Sequence, residues 1–102
     1  MPKSTDNEHE VEYEIECQLI NSHGIHIRTA AVISEICERF DATIIIKSAR
    51  AESDGRDMMR LLMLEATCGT ALKIKAKGIQ AEQALLELQE VINSGFNDMD
   101  MT

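Results

Sequence analysis

Aromatic rings are scarce in this chain, which has no tryptophan, one tyrosine and two phenylalanines. A core must therefore be built from Ile, Leu, Val, Met and Ala, with Phe40 the ring expected inside. Basic charge is also short. Ten Lys and Arg against 18 Asp and Glu leave a formal charge of −8. That balance argues against a nucleic-acid partner, whose binding starts from a basic face that neutralises phosphates. The three cysteines, Cys17, Cys37 and Cys68, form no CxxC pair. Their wide spacing resembles neither a disulfide framework nor a zinc site, so no metal and a reducing, cytoplasmic setting are expected. No apolar run approaches the roughly 18 residues of a spanning helix, and "MPKSTDNEHE" has no apolar signal region. No membrane insertion is expected.

The chain has 102 residues, 44% of them hydrophobic, enough for one globular domain with a modest core. Residues 1–10 and 95–102 read as mobile tails around a domain at 11–94. "VEYEIECQL" alternates Val11, Tyr13, Ile15, Cys17 and Leu19 with Glu12, Glu14, Glu16 and Gln18, the period of a half-buried strand. Ala30, Ile33, Ile36 or Cys37, and Phe40 recur at helical spacing and predict a helix over 27–39. "ATIIIK" predicts a second strand, "SARAESDGRD" a short strand and turn, and "MMRLLML" a helix of two turns at most. "TALKIKAK" sets Lys73, Lys75 and Lys77 on one face, a basic strand suited to lie beside the acidic first one. After Gly78, the stripe of Ala81, Ala84, Leu85, Leu88, Val91 and Ile92 predicts the last helix. The order βαββαβα, with helices needing one sheet face and charges the other, gives a two-layer α+β sandwich with an open-faced, mostly antiparallel sheet.

The chemistry-bearing stretch is "NSHGIHIRTAA", residues 21–31. It places His26 at the mouth of the first helix, where unpaired N–H groups and the positive end of the dipole favour an anion beside the ring. Arg28 adds a forked contact to the same anion, and Gly24, lacking a Cβ, permits the tight turn that exposes the ring. These parts make a reversible phosphohistidine site. The chain carries no Ser or Cys nucleophile with a base at motif spacing, no carboxylate pair in a plausible cleft and no glycine-rich nucleotide loop, so a carrier is expected rather than a stand-alone enzyme, with no cofactor. His9 falls in a tail, and His23 reads either as a neighbour to the anion or as a residue facing water.

This stretch, together with Phe40, Ile44 and Ile46 in F-x-x-x-I-x-I, "RDMMRLLML", "CGTALKIKAKG" and "AEQALLELQEVI", resembles the HPr family. These are the histidine-containing phosphocarriers of the bacterial phosphoenolpyruvate:sugar phosphotransferase system, and the resemblance covers about residues 12–93. It implies four antiparallel strands with three helices on one side, in a monomer. His26 corresponds to the histidine phosphorylated on Nδ1 by Enzyme I, and Arg28 to the arginine that steadies the phosphoryl group. Gly24, Thr29, Ala30 and Asn21 take supporting places around that group. Asn21 resembles the asparagine in N-x-x-G-[LM]-H carriers of the nitrogen-related branch. Ile27, Ala31, Met58, Met59, Leu62 and Met63 fall on the surface that docks Enzyme I and the downstream acceptors of the sugar or nitrogen branch.

Several positions depart from the family pattern, among them Arg56, which replaces a lysine. Thr29 stands where proline is usual; it restores a backbone donor and is expected to loosen the helix entry, so that the site either binds phosphate slightly better or is less well fixed. Asp57 stands at the regulatory-serine position, and it reads as a helix N-cap or as a permanent partial mimic of phosphoserine, the cap being favoured. No glycine stands at Glu65 or in the 48–51 turn. A second reading, a regulatory binding module that does not turn over phosphate, draws on Thr29 and Asp57.

Overall fold

The computed structural model describes residues 11–98. Its elements follow the predicted order: β1 (Glu12–Gln18), α1 (Ile27–Arg39), β2 (Thr43–Lys47), β3 (Glu52–Asp54), α2 (Met58–Leu62), β4 (Ala71–Lys77) and α3 (Ala81–Asn93). The strands lie in the order β1-β4-β2-β3, every neighbouring pair antiparallel. The expected tail at residues 1–10 lies outside the described residues.

Alternation decides which way the sheet faces. Cys17, Ile44, Ile46, Ser53, Leu72, Ile74 and Ala76 turn inward and are buried, while the intervening residues form a charged outer face. There Glu12, Glu14 and Glu16 stand opposite Lys77, Lys75 and Lys73. Lys73 and Lys75 reach diagonally to Glu14 and Glu12, at 3.7 and 4.0 Å. Each exposed pair adds little stability. Their value is in register, because a one-residue slip would carry these charges to the apolar face.

Beneath the sheet, α1 contributes Ala30, Ile33, Ile36 and Cys37, α2 contributes Leu61, and α3 contributes Ala81, Ala84, Leu85, Leu88 and Ile92. The result is the expected open-faced sandwich of a four-stranded antiparallel sheet and three helices. Among the described residues, no helix is long and apolar enough to cross a membrane. Burial pushes the Cys17 thiol up. Burial, reinforced by the Asp54 carboxylate, pushes Cys37 up to about 12. Cys68 is exposed.

Two expectations require correction. Phe40 is only half-buried; it is the extended C-cap of α1, where the chain turns out of the core, and the Arg39 guanidinium sits 5.5 Å from its ring centroid. The buried ring is Phe96, 1% exposed. It belongs to 95–102, the expected C-terminal tail, so the packed chain continues past residue 94 at least through Phe96. Gly95, Phe96 and Asn97 all have left-handed φ, at 67°, 58° and 56°. The Ser94 hydroxyl stitches this turn to α3, accepting the Asn97 N–H at 3.0 Å and donating to the Val91 carbonyl at 2.9 Å. Left-handed backbone costs about 1–2 kcal/mol per non-glycine residue, and burying a phenylalanine offsets about 1.5–3 kcal/mol of it.

Phe96→Ala should therefore destabilise the fold by about 3–5 kcal/mol, read from urea denaturation; a loss below 1 kcal/mol would show that the turn does not anchor the core. Alkylation of the native protein with iodoacetamide at pH 8 should modify Cys68 and leave Cys17 and Cys37 intact by peptide mass mapping.

Candidate functional site

His26 is the N-cap of α1, with extended backbone angles, φ −139° and ψ −170°. This is what an N-cap requires: the chain arrives extended and turns helical at the next residue. The His26 carbonyl takes the Ala30 N–H at 2.7 Å, the first bond of the helix. The His26 side chain is directed at the Thr29 backbone N–H, one half of a capping box. In the other half, the Thr29 hydroxyl accepts the His26 N–H at 2.9 Å. The ring itself is half-buried, and the exposed His23 imidazole lies edge-on to it with centroids 5.8 Å apart.

The loop before the helix is held from two sides. The Gly24 carbonyl accepts the Asn21 side-chain amide at 2.8 Å and the Thr29 hydroxyl at 2.9 Å. The next peptide N–H, that of Ile25, donates to the Ala66 carbonyl at 2.8 Å. Gly24 is required on two counts. Its φ is +62°, and an added Cβ would run into the Ala66 carbonyl oxygen and sit 2.7 Å from the Thr67 Cα. The segment 64–69 thus forms the seat for the histidine loop. Its own backbone is strained at Glu65, a non-glycine residue with φ 53° where the family pattern has glycine.

Electrostatically the helix mouth is an exception in an acidic chain. No Asp or Glu occurs between Glu16 and Glu35, so the histidine loop carries no carboxylate, and Glu65 is the one acid in its seat. The first turn of α1 has no acid, and Arg28, exposed within it, adds a cation. A helix N-terminus favours an anion by about 0.3–1 kcal/mol, and a guanidinium beside one can form a charge-assisted contact.

The sequence-chosen residues divide. His26, Arg28 and Gly24 meet at the helix mouth. Thr29 and Asn21 are buried, at 0% and 5% exposure, and their polar groups are turned to the Gly24 carbonyl. Thr29 does not loosen the entry; its hydroxyl ties it. Ala30 lies in the core, with its N–H used by the helix. Ile27, Met59 and Met63 are 67%, 71% and 72% exposed. Ala31 is also exposed, whereas Met58 and Leu62 are half-buried against the core. Helix α2 and the turn that follows it therefore expose Met59 and Met63 and turn Leu61 and Leu64 inward. Asp57 caps it, accepting the Arg60 N–H at 3.1 Å. Beside it the Asp54 carboxyl is held low, first by the Arg56 backbone N–H and then by the Arg56 guanidinium. Sequence reasoning missed the seat: Ala66 acts through its backbone carbonyl, which no side-chain pattern reveals.

Residues 13–94 match the family model described as the PTS HPr component phosphorylation site. The chain belongs to the HPr family. It is 30% identical over 82 residues to the phosphocarrier protein NPr of Escherichia coli strain K12, spanning 79% of this chain and 91% of that relative. It is 32% identical over 85 residues to the phosphocarrier protein HPr of Pseudomonas aeruginosa, spanning 82% and 94%. The crystal structure of HPr-C-His from Thermoanaerobacter tengcongensis superposes with a TM-score of 0.80 at 25% identity, over 83% of this chain and 96% of that one. The general role of this HPr-family chain is that of a phosphocarrier.

The capping role of Asp57 has a direct check. Asp57→Ala should cost about 0.5–2 kcal/mol in thermal or urea unfolding, and Asp57→Ser less than about 0.5 kcal/mol, because serine caps nearly as well. Equal losses for the two variants would count against the cap.

Proposed function

We propose that His26 takes a phosphoryl group from Enzyme I and passes it to downstream acceptors of the phosphotransferase system, in the sugar or the nitrogen branch. The observation that carries this reading is the position of His26 as the N-cap of a 13-residue helix, with Arg28 exposed in the first turn and no carboxylate in the loop that carries the histidine. In the transfer, the lone pair of one imidazole nitrogen attacks phosphorus as the bond to the donor breaks, its electron pair leaving with the donor. The proton on the other ring nitrogen can stay. The phosphorylated ring is anionic where the helix supplies N–H groups and Arg28 a forked cation. That stabilisation is modest, as a carrier requires, because the group must leave again. The exposed apolar residues Ile27, Met59 and Met63 give partners an adaptable docking surface.

The rival reading, a binding module that never turns over phosphate, draws on Thr29 and Asp57, and both have a local structural role. The hydroxyl braces the site and the carboxylate caps α2.

Incubation with Enzyme I and phosphoenolpyruvate should add one acid-labile phosphoryl group by intact mass. His26→Ala should abolish the adduct, and Arg28→Ala should slow its formation by ~10-fold or more, a loss of at least ~1.4 kcal/mol of transition-state stabilisation. An unmodified wild-type chain, or an adduct that survives His26→Ala, would sink the reading.

A further inference from the structure

The hydroxyl of Thr29 and the amide of Asn21 converge on one atom, the Gly24 carbonyl oxygen, and neither is turned to solvent. A carbonyl oxygen has two lone pairs, and here both have a donor, at 2.9 and 2.8 Å. The hydroxyl has one proton to give and lone pairs to accept with. It gives the proton to Gly24 and accepts the His26 N–H at 2.9 Å. The same Gly24–Ile25 peptide is held at its other end by Ala66, through the Ile25 N–H at 2.8 Å. The peptide plane that leads into His26 is therefore pinned at its oxygen and at its nitrogen, and the next N–H is pinned by Thr29. These bonds restrain the backbone torsions between Gly24 and His26.

From this closed circuit we infer that Thr29 and Asn21 are positioning residues for His26. Through the Gly24 carbonyl they fix the direction of the imidazole for phosphoryl transfer, doing with hydrogen bonds what a ring-constrained residue at position 29 would do by restricting φ. They also draw the carbonyl dipole of Gly24 inward, away from the place where an anion sits. Thr29 is the node because it is 0% exposed and touches both ends of the circuit. Asn21 supports it, with its side-chain amide on the Gly24 carbonyl at 2.8 Å.

The inference rests on the phosphocarrier reading for its consequence, but its first readout is independent of phosphate. In Thr29→Val, which keeps the side-chain shape and removes the hydroxyl, hydrogen exchange at the His26 amide should accelerate at least ~10-fold, the loss of one buried bond. Core amides such as that of Leu88 should keep their protection, reporting an intact fold. Thr29→Ser, which keeps the hydroxyl, should restore exchange at His26. The rate of phosphorylation by Enzyme I should follow the same order, falling ~10-fold or more in Thr29→Val and recovering in Thr29→Ser, since small misplacements of a reacting group cost up to about 100-fold. Asn21→Ala should fall between them.

Unchanged His26 exchange in Thr29→Val would overturn the inference, as would a serine variant as slow as the valine one, which would assign the effect to the methyl group. Accelerated exchange with an unchanged transfer rate would overturn the positioning role. A wild-type chain that takes no phosphoryl group would remove the phosphocarrier reading and the transfer role with it. The exchange data would then still show whether the hydroxyl holds His26.

Discussion

The one-sided apolar patterning of the sheet decides where every other element sits. Inward residues such as Ile44, Ile46, Leu72 and Ile74 are buried at 0–1% exposure, and they demand a second apolar layer, which only the helices can supply. The outward residues are charged on each long strand, so that face stays bare. With all three helices on one side, the loop joining β1 to α1 must climb over the end of the sandwich. There it meets the loop joining α2 to β4. The seat that Ala66 offers to Ile25 follows from this topology: antiparallel neighbours β1 and β4 bring residues 19 and 70 together, with the Leu19 N–H bonded to the Thr70 carbonyl at 2.9 Å. The histidine loop is braced because the sheet closes beneath it.

Much of this was legible in the sequence, for local reasons. Period-two alternation marked β1 and β4, and their opposite charges foretold that they would be neighbours. The stripe beginning at Ala30 marked α1 over its whole observed length. His26, Gly24 and Arg28 were readable because three residue types with distinct physical roles fall within five positions. The illegible parts depend on contacts distant in sequence. Phe96 follows the last periodic helix position, in a left-handed turn that no helical stripe encodes, so its burial was invisible while Phe40, at a periodic position, looked better placed. Ala66 contributes a carbonyl, which every residue has. Whether such a carbonyl faces a partner depends on tertiary placement.

Thr29 is the instructive case. Read locally, a threonine at the helix entry is a looser residue than proline, with more backbone freedom and an extra donor. Read in place, the donor faces the His26 side chain and the hydroxyl closes a capping box that also captures Gly24. The difference is one of mechanism. A proline restrains its own φ covalently and unconditionally. A hydrogen-bonded hydroxyl restrains its neighbours, each bond contributing about 0.5–1.5 kcal/mol net, and only while its partners hold position. The restraint is therefore shared: Asn21, Gly24, Thr29 and Ala66 each need the others. Loss of the Asn21 amide or the Thr29 hydroxyl removes a bond to the Gly24 carbonyl without touching the imidazole. Asn21 and Thr29 are buried while Arg28 lies at the surface and the His26 ring is half-buried: in the proposed carrier, holding the histidine is separated from using it.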